Sequence, residues 1–411
     1  IILMKSCIYN KYILCSFFTC VVCLFACGEK EDLSHYYTEA TREALANLEN
    51  QIIQDGSSPL KSDKAKNRFR LVHLSDVHIS KSSASNYPQN PENLAQAIHF
   101  ANLPEAHIDA MVMTGDLINP KPDDDKQTVG IYYEAFASAY YALTNAVPSF
   151  VSTGNHDANM LGVEVNSHFS KAEINQILFK KVNYPIVQPA GENYYYVDLN
   201  GYQDDIFRII ALDNTDQEAQ DYNTQHACSI TQKQVDWLVN VALKENMTDK
   251  HKVIILNHHP LQRFSKDKST YMCSGYHLYG PKMIPSIINA YMQRKQWNKT
   301  YKTVTSPYST ITVHADFTTS IGEFVCYMGG HAHTTAHFNV DCGEEGAPKQ
   351  LMLLANTMTP NLQNNGYGTI DRAGKGNNSF SIYCIDTEEK NIYITYFGAR
   401  KESATEVVSY Q

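Results

Sequence analysis

The chain has 411 residues, 43% hydrophobic and 19% charged, with a formal net charge of −9. This composition excludes wholesale disorder, collagen-like repeats and a multi-span membrane protein. The acidic balance, with no basic block, argues against nucleic-acid binding, and the length allows two or three domains of about 150 residues each.

At the N-terminus, Ile1–Leu3 are expected to precede a start at Met4. Lys5 and Lys11 give a basic opening, and an apolar run follows from Tyr12 to Ala26. The run is shorter than the roughly 20 apolar residues of a spanning helix, so it reads as a secretory signal. It ends Leu24-Phe25-Ala26-Cys27-Gly28, which resembles a bacterial lipobox, cut before a cysteine that then carries the lipid. Phe25 is bulkier than the usual residue there, so an ordinary signal peptide cut nearby stays open. On the lipobox reading, residues 1–27 are the signal, and a lipid on Cys27 anchors the exported chain to the bacterial envelope. Residues 28–66 read as a linker with a leading helix around Thr38–Gln54. Their acidic start, Glu29 to Asp32, fits a surface-export signal or a solvated linker. Five of the ten cysteines fall in the signal. The rest are Cys228, Cys273, Cys326, Cys342 and Cys384. Export permits disulfides, an odd count leaves at least one thiol unpaired, and no C-x-x-C metal spacing occurs.

From Phe69 onward, short Val/Ile-rich runs end abruptly in polar residues. They predict buried strands at Phe69–Leu74, Ile108–Met113, Ser149–Ser152, Phe207–Leu212, Lys252–Leu256 and Phe324–Met328. Helical patterns separate them, at Asn90–Leu103, at Val129–Asn145, and from a Thr231/Gln234 capping box to about Asn246. Strands alternating with helices predict an α/β layered fold. Two stretches, 158–191 and 262–320, interrupt the rhythm and are expected to rim a site. Residues 379–399 predict a hairpin turning at Asp386–Lys390.

Polar clusters follow five of the strands: Asp76-Val77-His78, Gly115-Asp116, Gly154-Asn155-His156-Asp157, Asn257-His258-His259-Pro260 and Gly330-His331-Ala332-His333. In an open α/β sheet, ligands gather beyond the carboxyl ends of strands. Imidazole with carboxylate and no thiolate suits Zn, Fe, Mn and similar ions rather than a closed structural zinc site. Residues i and i+2 of an extended segment face alike, so Asp76 and His78, and likewise His331 and His333, are expected to point together.

These five motifs, in this order, resemble the calcineurin-like metallophosphoesterase superfamily: D-x-H, G-D, G-N-H-[D/E], H and G-H-x-H. Gln234 and Trp237-Leu238 extend the likeness. The resemblance implies an αββα fold, a layered β-sandwich flanked by helices, spanning residues 67–400 with 401–411 as a tail. It implies two divalent metal ions. The first would take Asp76, His78, Asp116 and His333. The second would take Asp116, Asn155, His258 and His331, with Asp116 bridging. It also implies that His156 contacts the phosphate of a small phosphorylated substrate, as general acid or transition-state stabiliser, and that Asp157 orients. Hydroxide bridging the metals would attack the ester. His259 reads as structural or as a support for the ligands. Tyr276 and His277, in the second long stretch, are candidates to reach substrate. The other histidines match no motif.

Departures from the pattern narrow the class. Asn119 stands where purple acid phosphatases place a ligand tyrosine. The residues after His333 are expected to be too few for a nucleotidase-type second domain. The leading expectation is hydrolysis of phosphodiesters or phosphomonoesters at the bacterial envelope. A phospholipid or sphingolipid headgroup phosphodiesterase is the alternative. A non-catalytic binding lipoprotein on the same fold is the third reading, and intact ligand positions argue against it.

Overall fold

The computed structural model describes residues 68–410 apart from 81–89, 143–144, 159–166, 183, 217–229, 262–281, 303–309, 356–357, 359–377 and 398–404. The expected signal, Cys27, the linker, Cys228, Cys273, Tyr276 and His277 lie outside the described residues.

Two six-stranded sheets form the core. Across the first run β14 (Thr405–Ser409), β13 (Asn391–Phe397), β12 (Phe380–Asp386), β1 (Phe69–Leu74), β2 (Ala110–Thr114) and β3 (Ser149–Ser152). Across the second run β10 (Ala336–Val340), β11 (Gln350–Leu354), β9 (Glu323–Gly329), β6 (His251–Leu256), β5 (Ile206–Ala211) and β4 (Tyr195–Asn200). Strands β1, β2 and β3 are mutually parallel, as are β5, β6, β9 and β11. Parallel neighbours need crossovers that cover the sheet. Helices α1 (Asn90–Ala101) and α2 (Lys126–Tyr140) supply them between β1, β2 and β3. This explains why β1 and β2 are buried at every position, β1 carrying Arg70 and His73 among its apolar residues. The sheets share one core, where Phe69 of β1 stacks on Phe207 of β5 at 3.9 Å. Tyr195 of β4 ties their edges, its hydroxyl donating to the Val151 carbonyl at 2.8 Å and accepting from the Val151 amide.

All six predicted strands form, displaced at their ends by no more than two residues. The helices shift more. Helix α2 starts at Lys126, ahead of the expected Val129, because Asp125 caps it by accepting from the Thr128 amide at 2.7 Å. It ends at Tyr140, short of the expected Asn145, whose side chain instead donates to the Tyr140 carbonyl at 2.7 Å. The expected capping box at Thr231 is only half formed. Thr231 accepts from the Gln234 amide, but the Gln234 side chain turns to Asp213 and Asp216. The helix it opens, α4 (Gln232–Trp237), passes into a π-helix, Leu238–Ala242.

The long stretches carry structure of their own. The first contains α3 (Lys171–Ile177), opened by a Ser170/Glu173 capping box. The described part of the second contains α5 (Met283–Met292) and the antiparallel pair β7 (Gln296–Lys302) and β8 (Thr310–Asp316). Helix α5 buries Met283, Ile287, Ile288 and Tyr291, and Gln232 of α4 bonds both the amide and the carbonyl of Thr312 in β8. These parts pack against the scaffold.

The predicted hairpin is β12–β13, and β12 pairs directly with β1. The domain also runs past the expected boundary at 400, because β14 pairs with β13. A five-residue edge strand with Val407 half exposed has no strong apolar signal to betray it. Among the described residues, Cys326, Cys342 and Cys384 are buried free thiols, and no helix is long and apolar enough to cross a membrane.

Candidate metal centre

The motif loops leave the carboxyl ends of β1, β2, β3, β6 and β9, and the parallel pairing puts these ends on one side of the sandwich. One nitrogen or carboxylate oxygen from each of Asp76, His78, Asp116 and His333 falls within 4.8 Å of the others. His258, His259 and His331 form a second such group. In the first, His333 Nε2 lies 3.1 Å from Asp76 Oδ1 and 3.3 Å from His78 Nε2. In the second, His258 Nε2 lies 3.0 Å from Asn155 Oδ1 and 3.1 Å from His331 Nδ1. Asp116 stands between them, its Oδ2 at 3.3 Å from His258 Nε2 and 3.8 Å from His78 Nε2.

The backbone reaches this arrangement by an unexpected route. Asp76, His78, Asp116, His331 and His333 all have positive φ, from 48° to 62°. The D-x-H and H-x-H pairs are therefore not extended segments whose i and i+2 side chains share a face. Each ligand occupies the left-handed region, where Asp and His are more tolerated than bulkier residues. Such conformations cost about 1–3 kcal/mol each and persist where the surroundings impose them. Here the Asp76 amide donates to the Gly115 carbonyl and the His78 amide to the Asp116 carbonyl, each at 3.0 Å. Gly115 has φ +81°, and a Cβ there would sit 2.8 Å from His258 Nδ1.

The donor set fits cations. His258 Nδ1 faces the Thr114 carbonyl at 2.7 Å, and a carbonyl can only accept. The ring proton therefore sits on Nδ1, which leaves the Nε2 lone pair for a ligand, the usual orientation of a metal-binding histidine. That lone pair meets other acceptor atoms. A cation bound at about 2.1 Å to two such atoms holds them about 3.0–3.4 Å apart. The contacts of His333 with Asp76 and His78, and of His258 with Asn155, His331 and Asp116, match that spacing, while His78 stands slightly farther from Asp76 and Asp116, at 3.7 and 3.8 Å.

The family model for calcineurin-like phosphoesterases matches residues 69–291. The chain belongs to the calcineurin-like phosphoesterase family. The match ends inside α5, so the loop carrying His331 and His333 lies beyond it, and the fold alone returns that loop to the site. No match to a curated protein is found.

Within this phosphoesterase, neighbouring charge outweighs burial at Asp116, Asp76 and His258. Burial raises the Asp116 carboxyl, but electrostatic attraction to the neighbouring histidines, His258 above all, outweighs it and holds the group below the usual carboxylate range. Asp76 is likewise held down, against burial, by His333 and His258. Burial lowers His258, yet the facing carboxylates Asp116 and Asp76 push it up to about 9. The same carboxylates that would draw cations also draw protons to His258, so cation binding there would compete with protonation.

Asp157 acts on the backbone of the motif loops. It is fully buried, and its oxygens accept from the Gly154 amide at 2.6 Å and the Leu117 amide at 2.8 Å. It clamps the G-N-H-D loop to the G-D loop and makes no described hydrogen bond to His156. Burial, then repulsion from Asp116, pushes it up to about 8. Three supporting residues carry no motif of their own. Ser75 donates to Asp76, Thr114 accepts from His258, and Asn214 bonds His259. Their common signal is a polar residue at a strand end, next to a motif or, for Asn214, after the one predicted strand that had none.

Proposed function

We propose that the chain hydrolyses phosphodiesters or phosphomonoesters with two divalent cations, exported to the bacterial envelope and anchored through Cys27. The observation that supports it most is Asp116, one carboxylate shared by two donor groups. Asp76, His78 and His333 would hold the first cation with it. Asn155, His258 and His331 would hold the second. When bound, such a pair neutralises phosphoryl oxygens and makes a water nucleophilic near neutral pH.

His156 is the group set to meet the ester. Its side chain is 19% exposed, and its Nε2 lies 3.8 Å from Asp116 Oδ2. Its Nδ1 is buried without a hydrogen-bond partner among the described residues. An orphan N–H there would cost more than a bare lone pair, so the neutral ring carries its proton on Nε2, toward the open side. Burial lowers its pKa to about 4, Asp116 only partly opposing. The ring is then neutral at pH 7. It serves by donating a hydrogen bond to a phosphoryl or leaving-group oxygen rather than as an imidazolium acid. His156→Ala is expected to keep the metals and slow turnover by about 10²-fold. Because the folded-state pKa lies below 5, the wild type should show no loss of rate from pH 6 to 8 that disappears in the mutant. Such a limb, found in a pH–rate comparison, would restore the imidazolium role.

The decisive experiment combines metal analysis with a panel of aryl monoesters, aryl diesters and phospholipid headgroup diesters. Two equivalents of metal and turnover that chelators abolish are expected. One equivalent, or chelator-resistant turnover, overturns the dinuclear reading. For the anchor, Cys27→Ser should move the protein from the membrane pellet to the supernatant. A mutant that still pellets refutes it.

A further inference from the structure

We infer that Asn214 is a positioning residue that sets the geometry of the second cation's ligands and not of the first's; this rests on the dinuclear reading above. Asn214 follows β5, the predicted strand whose end carries no family motif, and it is fully buried. Its side-chain amide nitrogen donates to the Thr153 carbonyl at 2.9 Å and also to Asn257 Oδ1. Since that nitrogen faces a carbonyl, the amide oxygen is fixed on the other side, where it accepts from His259 Nδ1 at 2.8 Å. Its own backbone amide donates to Thr153 Oγ1 at 3.1 Å.

One side chain therefore joins three strand ends. Thr153 lies two residues before Asn155. Asn257 and His259 flank His258. The His259 ring in turn packs on the His331 ring, with centroids 4.4 Å apart. Every ligand of the second group except the shared Asp116 is thus adjacent to something Asn214 holds. The first group is held by other means: Ser75 donates to Asp76, the Gly115 carbonyl accepts from the Asp76 amide, and the Asp116 carbonyl accepts from the His78 amide. His259 also gains its purpose. Donation from its Nδ1 fixes the ring plane, and the ring walls one side of His331.

The polar contacts are fully buried, so truncation removes the acceptor facing His259 Nδ1 and the donor facing the Thr153 carbonyl and frees the strand ends to move. Supporting partners of metal ligands typically change affinity by about 10–100-fold. Isothermal titration of the ion-free protein with Mn2+ reads the two equivalents separately. Asn214→Ala should weaken the second equivalent by about 10–100-fold while leaving the first within about threefold. Thr215→Val is the control. Thr215 bonds the Asp213 carboxylate and the Thr153 hydroxyl, not the Thr153 carbonyl that the Asn214 side chain engages, so its loss should lower the melting temperature without moving the second equivalent. Equal weakening of both equivalents in Asn214→Ala, no change in either, or the same shift in Thr215→Val would each overturn the inference. A wild type that binds a single equivalent would instead refute the dinuclear reading and is recognised before any mutant is made.

Discussion

Asp116→Asn should lower turnover on an aryl phosphodiester by about 10³-fold or more and leave at most one tightly bound metal. The substitution isolates charge from shape. Asp116 has φ 52°, and asparagine tolerates that left-handed conformation as well as aspartate does. Its remaining oxygen can still accept from the His156 amide, now at 2.9 Å. What disappears is the negative oxygen facing His258 and His78. An amide NH2 in its place would point a donor where a cation must sit, between lone pairs that no longer have a shared anion. Elemental analysis and single-turnover assays check this. Two equivalents of metal with wild-type turnover would remove Asp116 from the centre.

The second large effect comes from a residue with no functional group. A Cβ on Gly154 would collide with Asp116 Oδ1 and with the Asp116 backbone nitrogen, and would lie 3.0 Å from Asp116 Cγ. The Gly154 amide is also held by Asp157 at 2.6 Å, so the loop has little freedom to retreat. Asp116 must therefore yield. Gly154→Ala should cost about 1–3 kcal/mol of stability from overpacking and reduce turnover by about 10²-fold through the displaced carboxylate. Gly130, in the middle of α2, is the comparison, with nothing within 4 Å of its Cβ position. Gly130→Ala should raise stability by about 0.5–1 kcal/mol and leave turnover unchanged. Urea denaturation and steady-state kinetics separate the two mutants. Equal behaviour would mean that the close approach at Gly154 has no bearing on the site.

Much of the fold was legible because strands covered on both faces are largely apolar. Runs such as Lys252–Leu256 and Phe324–Met328 announce themselves for that reason. Of the strands that escaped prediction, β11 is buried at every position and gave a run as short as the predicted ones, whereas others lack that constraint. Strand β7 is mostly exposed, β8 buries only alternate residues, and β14 is a short edge strand. Helix α4 becomes a π-helix partway along, which nothing in its spacing foretold. The capping box at Thr231 half formed because Gln234 found a stronger engagement with Asp213 and Asp216 than with the helix end. Local propensity yields to a buried carboxylate that needs donors.

By itself, the sequence determined the chemistry. Seven candidate ligands in five motifs, at the ends of predicted strands, name the residue types, their order and the family, because metal binding demands donors of definite kind. Tertiary structure alone decided how those donors meet. Left-handed backbone at Asp76, His78, Asp116, His331 and His333, rather than an extended pleat, aims the side chains. Asp157 clamps two loops together, and Asn214 joins three strand ends and accepts from His259. The physical reason is that donor identity is a local property of each residue, whereas aim and spacing arise from hydrogen bonds between strand ends far apart in the chain.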